Sequence, residues 1–84
     1  SGRMLDYVEL EEGFSLGKTK APRALLGKTL RETRVRQRYG VTVVSVKRMG
    51  GEFTYATQET VLNKGDVIVV AGRTDDVERF SESA

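Results

Sequence analysis

The segment KTLRETRVRQRYGVTVVSVKR, residues Lys28–Arg48, contains a helix and a strand around which the rest of the chain can be arranged. Thr29 followed three residues later by Glu32 fits a capping box, in which each side chain satisfies a backbone amide of the other residue. This pattern predicts the start of a short helix. Gly40, directly after Tyr39, predicts its end, because the residue after a helix often takes the left-handed conformation.

The valine-rich run after Gly40 predicts a strand. Residues 41–46 read VTVVSV, and valines interrupted only by Thr42 and Ser45 are typical of a central strand covered on both faces. The preceding helix ends where this strand begins. The last large side chains of the helix are therefore predicted to lie beside the start of the sheet: Arg34, Arg36, Arg38 and Tyr39.

Length and composition narrow the classes of function. The 84 residues make one small domain, near the size at which a single core gives marginal stability, so a homodimer is predicted. The absence of cysteine and histidine excludes disulfides, the usual zinc sites and histidine acid–base catalysis. No cluster of carboxylates is suited to acid–base work, so an enzyme is not expected.

No apolar run approaches the roughly 20 residues that span a bilayer, and no leader precedes the domain, so a soluble, cytoplasmic chain is expected.

The net charge of +2 is unevenly distributed. Between Lys18 and Arg38 the only acidic residue is Glu32, whereas acidic residues crowd both ends of the chain. One interpretation is a solvated helix and loop, which is the usual role of such side chains. The other interpretation is an anion-binding site. This interpretation requires a geometric reason why particular arginines, and not the whole basic segment, would bind the anion.

The region before the helix predicts strand structure. Alternation from Leu5 onward indicates a half-buried strand, and Phe14 with Leu16 resumes the pattern on one face after Gly13. Gly13 is interpreted as a bulge within one long strand that runs to about Lys20. A hairpin that turns at Glu12-Gly13 is the alternative. Residues 1–4 are interpreted as a linker or a tag remnant.

The region after residue 48 predicts a hairpin, a strand and a helix. Gly50-Gly51 is a two-residue hairpin turn, so residues 53–56 pair back on the preceding strand. The turn sequence NKGD at 63–66 precedes a second buried strand at 67–71. A last helix follows, with Thr74 as its cap, Asp75 and Asp76 in its first turn, and Val77 and Phe80 as its buried side.

The predicted order is strand, helix, hairpin, strand, helix. This order gives an α+β fold in which a small antiparallel sheet carries helices on one face.

Three motifs, in this order and spacing, resemble the C-terminal RCK domain, also called the TrkA-C domain. They are the lead-in LLGKTLRE at 25–32, the segment YGVTVV at 39–44 and the segment LNKGDVIVVAG at 62–72. The resemblance covers nearly the whole chain. Within the family the sequence is most similar to regulatory subunits of Trk/Ktr-type bacterial potassium uptake systems. Those subunits carry a Rossmann-type RCK domain upstream, whose G-x-G-x-x-G fingerprint does not occur here.

The resemblance implies a cytoplasmic regulatory domain that acts at the inner side of the cell membrane through a membrane potassium transporter subunit. It also implies a homodimer that binds cyclic di-AMP in the cleft between its two copies. Cyclic di-AMP has a two-fold axis, as does a symmetric dimer, so one ligand per dimer is expected. No other cofactor is implied.

Residue by residue, the resemblance assigns a phosphate contact to Arg36, three positions before the Tyr-Gly pair. Without it, Arg36 would be interpreted as a surface cation at a helix end. The adenine would lie on the backbone and apolar surface that follow, where the family often has asparagine and isoleucine in place of Thr42 and Val43. The candidate ligand-binding residues are Arg36, Tyr39, Gly40, Val41, Thr42, Val43 and Val44, although core packing is the preferred role for Tyr39 and the primary role for the valines.

Two other functions compete with ligand binding. A plain dimerisation module that binds no cyclic dinucleotide would need only the sheet and its buried valines. A nucleic-acid-binding domain would use the basic segment, but Phe14, Phe53 and Phe80 are expected in the core, which leaves no stacking platform. No nucleic-acid partner is therefore expected.

Overall fold

The computed structural model of the chain describes residues 4–84 and contains a five-stranded sheet. Residues 1–3 of the predicted linker lie outside the described residues, and Met4 is the first residue of β1. The strands are β1 Met4–Glu11, β2 Phe14–Lys20, β3 Val41–Lys47, β4 Phe53–Tyr55 and β5 Val67–Arg73. The helices are the 3₁₀ turn Arg23–Leu25, α1 Leu30–Thr33, α2 Val35–Tyr39 and α3 Thr74–Glu82.

The sheet has the spatial order β1-β2-β5-β3-β4, and every neighbouring pair is antiparallel. Side chains on one face are buried beneath the helices, and they form the core together with residues of the helices and of the connecting segments. The other face is half-exposed. The predicted α+β class, a small antiparallel sheet with helices on one face, is confirmed. The buried apolar residues of the core are Leu25, Leu30, Val35, Val41, Val43, Val46, Leu62, Ile68, Val70, Val77 and Phe80.

The prediction of one long strand through Gly13 is wrong, and the alternative hairpin is present. Strands β1 and β2 pair antiparallel on either side of a turn at Glu12-Gly13, with Val8 opposite Leu16. Gly13 has a φ of 88°, a left-handed value that glycine adopts without a steric penalty. Its carbonyl also accepts a 2.9 Å hydrogen bond from the amide of Thr74, which ties this turn to the start of α3.

The predicted buried face of β2 is also wrong. Phe14 is 44% exposed, whereas Ser15 on the opposite face is fully buried. Helix α3 packs on this opposite face so closely that a Cβ placed on Gly17 would lie 2.7 Å from the Cγ1 of Val77. Only small side chains fit under the helix, so the larger apolar ones point to the open face. Phe53, at the sheet edge, is likewise 42% exposed, and of the three phenylalanines only Phe80 belongs to the core.

The predicted helix between residues 29 and 40 is present but broken. Thr29 and Glu32 form the predicted capping box, and Gly40 ends the second piece with a φ of 77°. Between them, Arg34 adopts a left-handed conformation with φ 51° and ψ 45°, which separates α1 from α2. Among the described residues it is the only non-glycine residue with positive φ.

Strand β3 lies inside the sheet, but it is not covered on both faces. Val41, Val43 and Val46 are buried, whereas Val44 is 40% exposed. The strand prediction is therefore confirmed, and the prediction of two covered faces is wrong for the single chain. A local irregularity between Val43 and Ser45 shifts the pairing with β5.

The turn at 63–66 is held by a buried carboxylate. The Oδ2 of Asp66, a residue 3% exposed, accepts a 2.8 Å hydrogen bond from the amide of Asn63. Arg48, from the β3–β4 hairpin, pairs with the same carboxylate and donates a 3.0 Å bond to the carbonyl of Val61. The motif before β5 therefore joins the second hairpin to the loop ahead of the central strand.

The last helix differs from its prediction at one residue. Arg73 occupies the cap position and makes no side-chain capping bond, while Thr74 is already helical. The Thr74 hydroxyl instead lies 2.6 Å from the hydroxyl of Ser15 beneath α3. The predicted cap at Thr74 is therefore wrong. The acidic first turn and the buried side formed by Val77 and Phe80 are confirmed. No helix among residues 4–84 is long and apolar enough to cross a membrane.

Candidate functional site

An open cleft of about 330 Å³ lies between the broken helix, the start of β3 and the segment that follows β4. This volume is at the lower end of the range of about 300–1,000 Å³ that is usual for small-molecule sites. Its walls combine guanidinium groups, side-chain amides, hydroxyls and a few apolar side chains. The lining residues are Leu30, Arg31, 34–37, Thr42, Val43 and 56–58.

The cleft exists because β4 is short. Strand β4 pairs only with Ser45–Lys47, so the first half of β3 has no strand neighbour on the side away from β5. Thr42 lies on the open face of the sheet and Val43 on the covered face, and both reach the cleft at this free edge. A flat ligand can therefore lie against backbone and side chains of β3 without displacing a strand.

The loop after β4 forms the opposite wall and is anchored to α1. The amide of Leu30 donates a 2.9 Å bond to the carbonyl of Thr60, and the amide of Arg31 donates a 2.9 Å bond to that of Gln58. These bonds hold residues 56–58 across the cleft from the broken helix. The wall is therefore tied to α1 by backbone hydrogen bonds, although Thr57 and Gln58 are exposed.

One arginine of the cleft is already paired. The Nη2 of Arg31 lies 2.8 Å from the Oε2 of Glu59, and both side chains are about 70% exposed, at 68% and 71%. The hydrogen bond from Arg31 lowers the pKa of Glu59 below its ordinary value, because it stabilises the ionised carboxylate. Arg31 therefore contributes little uncompensated charge to the cleft.

A second arginine is engaged with an aromatic ring. The guanidinium carbon of Arg38 lies 5.3 Å from the ring centroid of Tyr39, within the range of a cation–π contact. The same ring meets Phe80 edge-to-face, with the centroids 5.3 Å apart and an interplanar angle of 83°. Tyr39 therefore connects the end of α2 to the core, which was its preferred role.

Arg34 and Arg36 carry the remaining charge. Both line the cleft and both are exposed. Within residues 4–84 neither guanidinium group has a hydrogen-bond or ion-pair partner, in contrast to Arg31 and Arg38. The cleft therefore presents two guanidinium groups that are free to bind an anion such as a phosphate.

The structure brings together three of the seven candidate residues and separates the others. Arg36, Thr42 and Val43 line the cleft. Val41 is fully buried and Val44 is exposed outside the cleft lining. Two more also lie outside it: Tyr39 packs on the core, and Gly40 ends α2 near Asp76.

Several lining residues were not among the candidate ligand-binding residues of the sequence analysis. Arg34 and Gln37 belong to the broken helix, and residues 56–58 belong to a segment interpreted only as a connector. A capping box at Thr29 followed by basic residues does not indicate a break at Arg34. The connector is held at the site by two backbone hydrogen bonds to α1. The pattern of side chains in a sequence does not indicate such backbone bonds between distant segments.

Comparisons with known proteins place these features in a family. The TrkA-C domain model matches residues 19–84. The chain is 36% identical over 83 residues to the Ktr system potassium uptake protein C of Bacillus subtilis (strain 168), which covers 98% of the chain and 37% of that protein. The chain thus spans a little over a third of the length of this relative.

Two solved structures share the fold. One is the RCK C domain of the potassium transport protein KtrA in complex with cyclic diadenosine monophosphate (c-di-AMP), with a TM-score of 0.71, 26% identity and 84% of each chain covered. The other is the GsuK channel bound to NAD, with a TM-score of 0.73, 26% identity, and 86% of this chain and 14% of that one covered. With the family model matched over residues 19–84, from the end of β2 onward, the chain belongs to the TrkA-C domain family.

Proposed function

We propose that this chain is a regulatory domain that binds cyclic di-AMP in the cleft beside β3. The observation that carries the proposal is the position of Arg36. Its unpaired guanidinium group shares one cleft with Thr42 and Val43 at the free edge of the strand. A guanidinium group suits a phosphate, and the strand edge suits a flat base.

The KtrA RCK C domain, which was solved with c-di-AMP, supports this choice of ligand, since it matches this chain over 84% of both lengths. The geometry of a single chain supports it as well. The cleft is open and small, so one chain encloses only part of a cyclic dinucleotide. A second copy related by a two-fold axis would supply the same residues to the other half of the ligand.

The proposed assembly is a homodimer, and light scattering or sedimentation at micromolar concentration is expected to give twice the mass of the chain. The sheet face that the helices leave open supports this prediction, because Val8, Phe14 and Val44 on that face are between 40% and 51% exposed. A small domain gains stability by burying such side chains against a partner. A monomer at these concentrations would contradict the dimer.

The proposed role in the cell is regulatory rather than catalytic. The relative named above is a potassium uptake protein of which this chain matches a little over a third, so we infer a longer protein in which a Rossmann-type RCK domain lies upstream. In that setting the ligand would act on a membrane potassium transporter subunit from the cytoplasmic side. Ligand binding would then be converted into a change in the arrangement of the two copies.

Selective binding of cyclic di-AMP, a nucleotide with two-fold symmetry, tests the proposed identity of the ligand. Calorimetry is expected to show much tighter binding of cyclic di-AMP than of ATP, NAD or the linear dinucleotide pApA. ATP fills one half of a symmetric cleft, and the linear dinucleotides lack the preorganised ring. NAD is included because the GsuK channel was solved with it. Equal affinities for all four would contradict the proposal.

Two alternative functions predict different outcomes of one thermal-shift series. A plain dimerisation module shows no shift of the melting midpoint with any nucleotide. A nucleic-acid-binding domain shows a shift with a short oligonucleotide that fades as salt is raised, because such binding is largely electrostatic. A ligand that binds only the native state raises the midpoint by mass action, so the proposed function predicts a shift with cyclic di-AMP that persists in moderate salt.

A further inference from the structure

The backbone at Arg34 controls which side chains face the cleft. Successive residues of an α-helix are rotated by about 100°, so side chains two positions apart point about 200° away from each other. In a continuous helix, Arg34 and Arg36 would therefore lie on opposite sides. Here both residues line the cleft, and Arg34 is left-handed, with φ 51° and ψ 45°, so that α2 starts afresh at Val35.

This conformation is unfavourable for arginine. A non-glycine residue with positive φ carries a steric cost, and asparagine and aspartate are the side chains that tolerate it best after glycine. The side chain of Arg34 makes no hydrogen bond or ion pair within residues 4–84 that would offset this cost. Packing does not account for an arginine here either, because the residue is exposed.

We propose that Arg34 is a second anion-contacting residue of the cleft, which binds the phosphate of the ligand together with Arg36. This inference rests on the proposed function and adds a residue to the same site. Two guanidinium groups from one chain can bind different oxygens of one phosphate, and each adds a charge-assisted hydrogen bond. The left-handed break is the structural device that brings the pair together.

The other two arginines nearby are less suited to this role. Arg31 donates to the carboxylate of Glu59 at 2.8 Å, so it would have to give up an ion pair to bind a phosphate. Arg38 lies outside the cleft lining and over the ring of Tyr39. Arg34 has no such competing contact among the described residues, and its charge is therefore available without rearrangement.

The test compares four forms of the chain by calorimetry with cyclic di-AMP: the wild type, Arg34→Asn, Arg34→Gly and Arg23→Asn. Asparagine and glycine both tolerate the left-handed backbone, so the break is kept while the guanidinium group is lost. Arg23→Asn is the matched control, because it removes an exposed arginine that lies outside the cleft lining.

Both substitutions of Arg34 are expected to weaken binding by about a hundredfold or more, because one substitution removes a charge-assisted hydrogen bond from each copy of the two-fold dimer. Arg23→Asn is expected to bind as the wild type does. Without ligand, Arg34→Asn is expected to melt within about 4 °C of the wild type, because exposed substitutions change stability little. Arg34→Gly is expected to melt no lower than Arg34→Asn.

The failures can be told apart. If both variants of Arg34 bind cyclic di-AMP as tightly as the wild type does, Arg34 is not part of the site and the break in the helix has no role in ligand binding. The proposed function is then unaffected. If Arg23→Asn loses as much affinity as Arg34→Asn, the effect is one of overall charge and the inference is wrong. If the wild type does not bind cyclic di-AMP, the proposed function and the inference are both wrong.

Discussion

Replacing Arg36 by alanine is expected to weaken cyclic di-AMP binding by about a hundredfold or more, as measured by calorimetry. A charge-assisted hydrogen bond contributes about 1.5–3 kcal/mol, and a two-fold dimer loses two such bonds with one substitution. Folding is expected to be nearly unaffected, because Arg36 is exposed and makes no side-chain hydrogen bond or ion pair within the described part of the chain. The variant should therefore remain dimeric and melt near the wild-type midpoint without ligand.

Arg31→Ala is the control for this experiment. It removes the same charge from the same cleft, but that guanidinium group donates to Glu59 and is not available to a phosphate. The loss of affinity should therefore be clearly smaller than for Arg36→Ala. Equal losses would indicate a diffuse basic surface in place of a specific contact. If neither substitution weakens binding, the ligand contacts lie elsewhere.

Replacing Phe80 by alanine is expected to lower the free energy of unfolding by about 3–5 kcal/mol, the usual cost of deleting a large core side chain. Phe80 is 1% exposed and its ring meets Tyr39 edge-to-face, so the cavity would open where α3, the end of α2 and the sheet come together. Small domains have a total stability of about 5–15 kcal/mol. Urea denaturation of the ligand-free protein measures the loss, and the midpoint should fall steeply.

Phe53→Ala provides the matched comparison, because the same side chain is deleted at a position 42% exposed on a three-residue edge strand. Its free energy of unfolding should fall by about 1–2 kcal/mol, clearly less than for Phe80→Ala, since a large part of the Phe53 side chain is already in water and no closed cavity is left. Comparable losses for the two variants would mean that Phe53 is covered in the protein in solution, for example by a second copy of the chain.

Three local signals in the sequence predicted local structure correctly, whereas those at Gly13 and Thr74 did not. The capping box at Thr29, the glycine after Tyr39 and the turn at 63–66 depend on neighbouring residues, and the structure contains all three. The face of β2 was predicted wrongly because its apolar residues point outward. Which face is buried was decided by how closely α3 approaches Gly17, and that approach depends on residues about 60 positions later in the chain.

The candidate site was predicted in part. Arg36, Thr42 and Val43 come from one short segment that the family resemblance identifies, and the fold places them in one cleft. Which arginines are free could not be predicted. The pairing of Arg31 with Glu59 joins positions 28 residues apart, and the left-handed conformation at Arg34 has no indication in the sequence.

The central position of β5 has a consequence for how the chain folds. Strands β1 and β2 form one hairpin, β3 and β4 form another, and β5 pairs with both although it comes after them in the chain. Until β5 joins, each hairpin is an isolated two-stranded unit, which is marginally stable at best in water. During synthesis, cooperative folding therefore has to wait until residue 73 has left the ribosome. The fold depends on contacts distant in sequence, a feature that goes with slow folding.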